Sequence, residues 1–531
     1  MKRLIILAAA MLPAATLAQS TPDRAERWWR DIAVIAADDT EGRETGSAGY
    51  LRAAAYVEQR FREMGLAPAG ESGSFRQDVA FEEQVVDAAR SSAALIDANG
   101  RAAALQVGSD LLIGAGGGPR PVTVDAPLVF IGYGLHLPEQ GHDDLEGLDL
   151  RGKIAVAIGG GPASISGPVK ASARSERLRV LGERGAIGLI TLTPPKQIEI
   201  PWERQKLLAP APGMYLADPA MRFVPDGFLT ASFDPAQSEQ LFAGSERSFA
   251  AVAALSDLSQ PVPTFPLAHR FKASLTTAKR RLTSPNLVAK LQGADPTLSA
   301  EHVAISAHLD HVGVGAAIGD DRIYNGAMDD ASGVATVLDI AQVLSAGPRP
   351  KRSMLFVIVT AEEKGLLGSH YFAQRPTVAQ GSIVADLNFD MPLPLWKLRG
   401  VLVQGDQESS LGVVARAVGA RQGLALAPDA LPERNGFVRT DQFSFVRAGI
   451  PSLAFKFGFA KGTPEFEIER AWRANRYHAP SDDVNQPGVM KVEAIRLHDF
   501  VIAIARQVAD APERPTWNAT SVFRRYAQPT P

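Results

Sequence analysis

The sequence predicts an α/β fold: an open mixed, mostly parallel sheet with helices on both faces, interrupted by a smaller inserted α+β domain. Three observations lead there. After residue 285 strand-like and helix-like segments alternate, the pattern of an α/β sheet. Runs such as Met354-Leu355-Phe356-Val357-Ile358-Val359 are apolar on both faces, as central strands covered by helices must be. At 531 residues the chain exceeds the roughly 250 to 300 over which a single core grows, so a second unit is expected.

Taken in order, Lys2 and Arg3, an apolar run over 4–12 and small residues ending at Thr16-Leu17-Ala18 have the form of a cleaved secretory signal over 1–18, too short to span a bilayer. The chain is therefore expected to be exported, to a bacterial periplasm or beyond, with no membrane span once the signal is removed. Helical periodicity follows over 24–37 and 47–66, the second stopping at Gly65. Alternating stretches over 75–85 and 93–112 read as strands at a sheet margin. Gly116-Gly117-Gly118-Pro119-Arg120-Pro121 and Pro261-Val262-Pro263 break all periodicity and mark the seams of an insert over 117–261. Within it, strands are expected over 127–131, 153–158 and 186–191, with a helix over 172–185. The enclosing domain comprises 19–116 and 262–515, and 516–531 form a tail. In its main part strands are predicted at 286–291, 302–307, 353–360 and 383–389, and helices at 333–344 and 365–372.

Composition narrows the chemistry. With no Cys there are no disulfides, thiolate metal sites or cysteine nucleophiles. A formal charge of −3, from 55 basic and 58 acidic residues, leaves no basic footprint for nucleic acid. Neither a Gly-x-Ser-x-Gly elbow nor a His-Glu-x-x-His helix occurs.

In open α/β sheets the ligand site lies beyond the carboxyl ends of the strands. There the chain places His308-Leu309-Asp310-His311, Asp329-Asp330 ahead of a helix, Glu362-Glu363, Asp390, and later Tyr477-His478. Singly each is ambiguous: a surface triplet, a helix cap or solvated acids would look the same. Together they gather His308, His478 and several acids at successive ends of one sheet, which is costly without a cation. With oxygen and nitrogen donors only, a Zn²⁺ pair is the natural occupant, although such sites also take Mn²⁺ or Co²⁺. Two-metal hydrolases activate a bridging water, and a free carboxylate moves its proton to the leaving amine.

His308-x-Asp310, Asn325-Gly326-Ala327-x-Asp329-Asp330-Ala331-Ser332-Gly333, Ala361-Glu362-Glu363-x-Gly365-Leu366-x-Gly368-Ser369, Asp390-Met391 and Tyr477-His478-x-x-Ser481-Asp482 resemble, in order and spacing, the M28 metallopeptidases. Glu41-Gly42-Arg43-x-x-Gly46-Ser47 and Thr440-Asp441-Gln442-Phe443 also look like family segments. The resemblance implies a zinc-peptidase-like fold with two Zn²⁺: His308 and Asp390 on one, Glu363 and His478 on the other, and Asp329 bridging. It implies Glu362 as general base and acid, Asp310 as the partner orienting His308, Tyr477 as an aid to the oxyanion, and Asp330 as a structural residue after a bond often cis. Met328 and Gln442 depart from the family pattern at positions that are not ligands. The insert resembles a protease-associated domain. His136, His142, His269, His302, His311, His370 and His498 match no ligand position.

The activity so implied is removal of N-terminal residues from peptides. Two alternatives share the fold: a carboxypeptidase or dipeptidase of the glutamate-carboxypeptidase type, with Arg434 or Arg439 gripping a carboxylate, and a non-catalytic binding protein like the transferrin receptor.

Overall fold

A computed structural model describes residues 20–116, 122–198, 200–208, 212–223 and 225–527. The expected signal and part of the first seam lie outside them. Among the described residues two large sheets form.

The main sheet has ten strands. Its centre is parallel: Ser353–Val359, His302–His308, Ile383–Asn388 and Ser452–Phe457 lie side by side. Antiparallel strands flank this centre, Thr277–Leu291 and Arg76–Val86 on one side and Gly400–Gln404 on the other. Strand side chains alternate between two cores. Val303, Ile305 and Ala307 face a layer containing the helices Thr21–Ile35, Ala48–Glu63, Ser332–Ala346 and Lys491–Asp510. Ala304, Leu355 and Val357 face Phe372 and Phe445, on the helices Leu367–Gln374 and Gln442–Arg447. This is the expected open sheet covered on both faces, and both faces read as apolar because both are buried.

The second sheet has eight strands. It contains Val122–Phe130, Ile154–Ile158, Gly188–Leu192 and Leu229–Phe233, all inside the expected insert, with helix Gly167–Glu183 against one face and Phe249–Asp257 against the other. It is wider than the expected seams. Ser92–Ile96, Ala102–Leu105 and Leu111–Ala115, expected at the margin of the main sheet, pair here, as does Phe265–Leu275. Alternation identifies a strand but not its neighbour, so the Gly-Pro punctuation was a poor guide to the boundary. Conversely, Gly213–Leu216 leaves the insert and pairs with Arg76–Val86 at the edge of the main sheet.

The C-terminal segment is packed down as far as it is described. Phe523 is fully buried beside Phe437 and Phe443, and Trp517 Nε1 donates to the Gly449 carbonyl at 3.1 Å. No helix among the described residues is long and apolar enough to cross a membrane.

Candidate metal centre

Three adjacent parallel strands deliver the site. His308 ends one, Glu362 and Glu363 follow the second after Val359, and Asp390 follows the third after Asn388. Asp329 comes from the turn before helix Ser332–Ala346, and His478 from the loop after helix Pro464–Asn475. Donor atoms fall into two groups, each within 4.8 Å: His308, Asp329 and Asp390; and His311, Asp329, Glu363 and His478. Asp329 belongs to both. Its Oδ1 lies 3.4 Å from His308 Nε2, and its Oδ2 3.2 Å from His478 Nε2, which is also 3.2 Å from Glu363 Oε2. The residues fit a metal pair. Nε2 of His308 and of His311 are buried without a hydrogen-bond partner, and a carboxylate shared between two clusters of hard donors is what a pair of divalent cations requires.

The electrostatics say the same. Burial pushes the Glu362 carboxyl well above the usual range; Glu363, Asp441 and Asp390 add to this while His308 opposes it. Against the cost of burial, Glu362 and Asp329 drive His308 well above an ordinary imidazole, and Glu363 does so for His478. Asp329 is held well below the usual range despite its burial, through His308 and His478. Positive charge is demanded here, and either imidazolium or a cation must supply it.

A frame of buried polar groups fixes these ends. The fully buried Arg43 donates through Nε to the Leu309 carbonyl at 2.7 Å, and through its terminal nitrogens to the carbonyls of Asn325 and Gly326. Gly42 allows this: its φ is +63°, and a Cβ there would meet the Tyr324 and Gly313 carbonyls at 2.5 and 2.6 Å. Asp330 Oδ1 accepts from Gly333 N at 2.9 Å and from Met391 N at 3.0 Å, tying the helix start to the residue beside Asp390. The Asp329-Asp330 bond is cis. Asp482 accepts from the amides of Met328 and Asp329 at 3.0 and 3.1 Å.

Two sequence expectations differ in detail. His308 Nδ1 donates to the backbone carbonyl of Asp310 at 3.0 Å, so the carboxylate does not orient the ring. That carboxylate instead accepts from the Glu362 and Glu363 amides at 3.0 and 3.2 Å and from Thr45 Oγ1 at 3.2 Å. His311, given no ligand position, is fully buried with Nδ1 2.7 Å from Glu363 Oε1. Its adjacency to Asp310 was the one available signal.

The other named residues are brought together. The Tyr477 ring stacks on His478, centroids 3.9 Å apart, under the Arg473 guanidinium. Gln442 bonds the Phe437 carbonyl at 2.8 Å and accepts from Thr440. Arg434, considered as a carboxylate grip, is spent on the buried Glu469 at 2.6 Å, which Arg473 also contacts at 2.9 Å. From the insert, Arg204 donates to the backbone carbonyls of Ala474 and, at 2.5 Å, Tyr477, beside the His478 position.

A family model matches the part of the chain that carries the site. Residues 286–504 match the model of peptidase family M28. That segment holds the whole constellation from His308 to His478. A probable leucine aminopeptidase 2 of Aspergillus oryzae is 29% identical over 265 residues, 46% of this chain and 49% of that protein. Leupeptin-inactivating enzyme 1 of Streptomyces exfoliatus is 33% identical over 189 residues, 34% of this chain and 38% of its own. The chain thus matches half or less of the length of these relatives. The solved aminopeptidase from Aneurinibacillus sp. strain AM-1 shares the fold, with a TM-score of 0.52 at 19% identity over 92% of this chain and 95% of that one.

Proposed function

We propose that the protein is an exported di-zinc aminopeptidase that hydrolyses N-terminal peptide bonds. The observation that carries this reading is Asp329, whose two oxygens face two separate donor groups. His308 and Asp390 would hold one zinc, Glu363 and His478 the other, and Asp329 both. When bound, the zinc pair supplies Lewis acidity, polarising the scissile carbonyl and acidifying the attacking water.

Glu362 lines the same cleft, its Oε2 4.0 Å from His308 Nε2, and takes the proton of that water and returns it to the leaving amine. Burial favours this role, because it lifts the carboxyl above its ordinary range. Tyr477, stacked on His478 at the cleft wall, would aid the oxyanion through its hydroxyl. Asp310 acts through the backbone of Glu362 and Glu363. The second sheet would be the protease-associated module, supporting the cleft through Arg204. Export rests on the signal read over residues 1–18.

The test is hydrolysis of a panel of free and N-acetylated peptides by purified protein, with and without chelator. Cleavage only where the amino terminus is free, abolished by chelator, is expected. Cleavage of acetylated peptides from their carboxyl ends, or indifference to chelator, overturns the reading.

A further inference from the structure

The same cleft contains a cation that neither the metal site nor the proposed chemistry uses. Strand Ser452–Phe457 is buried except at Lys456, which lines the cleft together with Asp390, Trp396, Phe457 and Phe459. Trp396 stands edge-on to both phenylalanines, centroids 6.1 and 5.8 Å away, forming an aromatic wall. The Lys456 side chain is 21% exposed, and its nearest carboxylate oxygen in an ion pair is Asp390 Oδ1 at 3.9 Å, beyond hydrogen-bond distance. Asp390 is itself a proposed ligand, so its charge is committed to the metal. Of the other charges outside the metal site, Arg434 and Arg473 pair with Glu469, Asp429 at the exposed rim accepts from the Leu431 amide at 2.8 Å, and Arg439, which also lines the cleft, is engaged with partners of its own.

An ammonium beside an aromatic wall repels a basic side chain and leaves an apolar one with a desolvated charge opposite it. An acidic side chain satisfies both surfaces, its methylenes against the rings and its carboxylate on Nζ. The geometry points to Lys456 as a specificity residue that selects substrates whose N-terminal residue is acidic, glutamate above all. This rests on the aminopeptidase reading. Glutamate and glutamine are the informative pair, equal in size and differing in the charge Lys456 would read.

The experiment compares zinc-loaded wild type with Lys456→Met and Lys456→Glu on N-terminal Glu, Gln, Leu and Lys fluorogenic amides. Metal content is measured per chain, and binding of free L-glutamate and L-glutamine is followed by the fluorescence of Trp396 against a Trp396→Phe control. Wild type is expected to favour Glu over Gln by roughly 10- to 100-fold in kcat/KM, the worth of a charged hydrogen bond. Lys456→Met should collapse that ratio toward unity with metal content retained, and Lys456→Glu should turn the preference toward Lys. Equal use of Glu and Gln by wild type overturns the inference. So does a Lys456→Met protein that keeps the ratio, or that loses metal and all substrates together, which would make Lys456 a support for Asp390. If no free-amino substrate is cleaved, the aminopeptidase reading fails separately, and Lys456-dependent glutamate binding still decides the pocket's selectivity without turnover.

Discussion

Nδ1 of His308 donates to the backbone carbonyl oxygen of Asp310 at 3.0 Å, leaving Nε2 free for a metal. Because the bond is to backbone, it survives replacement of the side chain. What Asp310→Asn weakens is the acceptor for the Glu362 and Glu363 amides. We expect metal content per chain to be unchanged and kcat to fall about 10- to 100-fold, the usual cost of loosening a supporting group. Metal analysis beside steady-state kinetics checks this; a variant that loses metal instead would put the carboxylate back on the ring.

Asp329 faces both donor groups, whereas Asp390 and His478 each face one. Asp329→Ala should therefore cost both metals, while Asp390→Ala or His478→Ala should cost chiefly one. Elemental analysis of dialysed protein distinguishes these outcomes.

Glu362→Gln keeps the shape of the side chain and removes its basicity. The variant should bind its full metal complement and lose ~10² to 10⁴ in kcat, the range for a general base. Unchanged turnover would remove Glu362 from the mechanism.

Acid should unfold the protein through Asp339. This carboxylate is fully enclosed and bonded to Arg24 at 2.7 Å, Arg27 at 2.8 Å and His498 at 2.9 Å. Burial alone would raise its pKa, but His498 and then Arg24 hold it well below the usual range. A depressed carboxylate stabilises the fold fully above its unfolded pKa of about 3.9, and that stability drains as pH falls below it toward the folded value. Asp339→Asn should cost about 3 to 5 kcal/mol at pH 7, as for breaking a buried pair, and flatten the acid limb of stability below about pH 4. Urea melts across pH 3 to 7 measure both effects.

Much of this site is legible in the sequence. Apolar runs such as 354–359 identify buried parallel strands, and residues just beyond such strands lie on the ligand side, so position gathers His308, Glu362, Glu363 and Asp390 at one end of the sheet, while their separate roles come only from the family resemblance. The frame is not. Arg43 lies 266 residues before Leu309, whose carbonyl it holds, and no local pattern reports a contact at that separation. The same holds for sheet membership: Ser92–Ile96 alternates equally well whichever sheet it joins, and only long-range packing against Phe265–Leu275 decides. His311 was hidden for a different reason, since a lone imidazole carries no period.

Strand Gly213–Leu216 has a practical bearing on any attempt to trim the molecule. It covers the outer hydrogen-bonding edge of Arg76–Val86, which otherwise ends the main sheet on that side. A minimal peptidase made by excising residues 92–275 would expose a row of unpaired amides and carbonyls along that strand, the template on which separate chains add to one another. The shortened protein should therefore be recovered as aggregate even where every residue of the catalytic cleft has been kept.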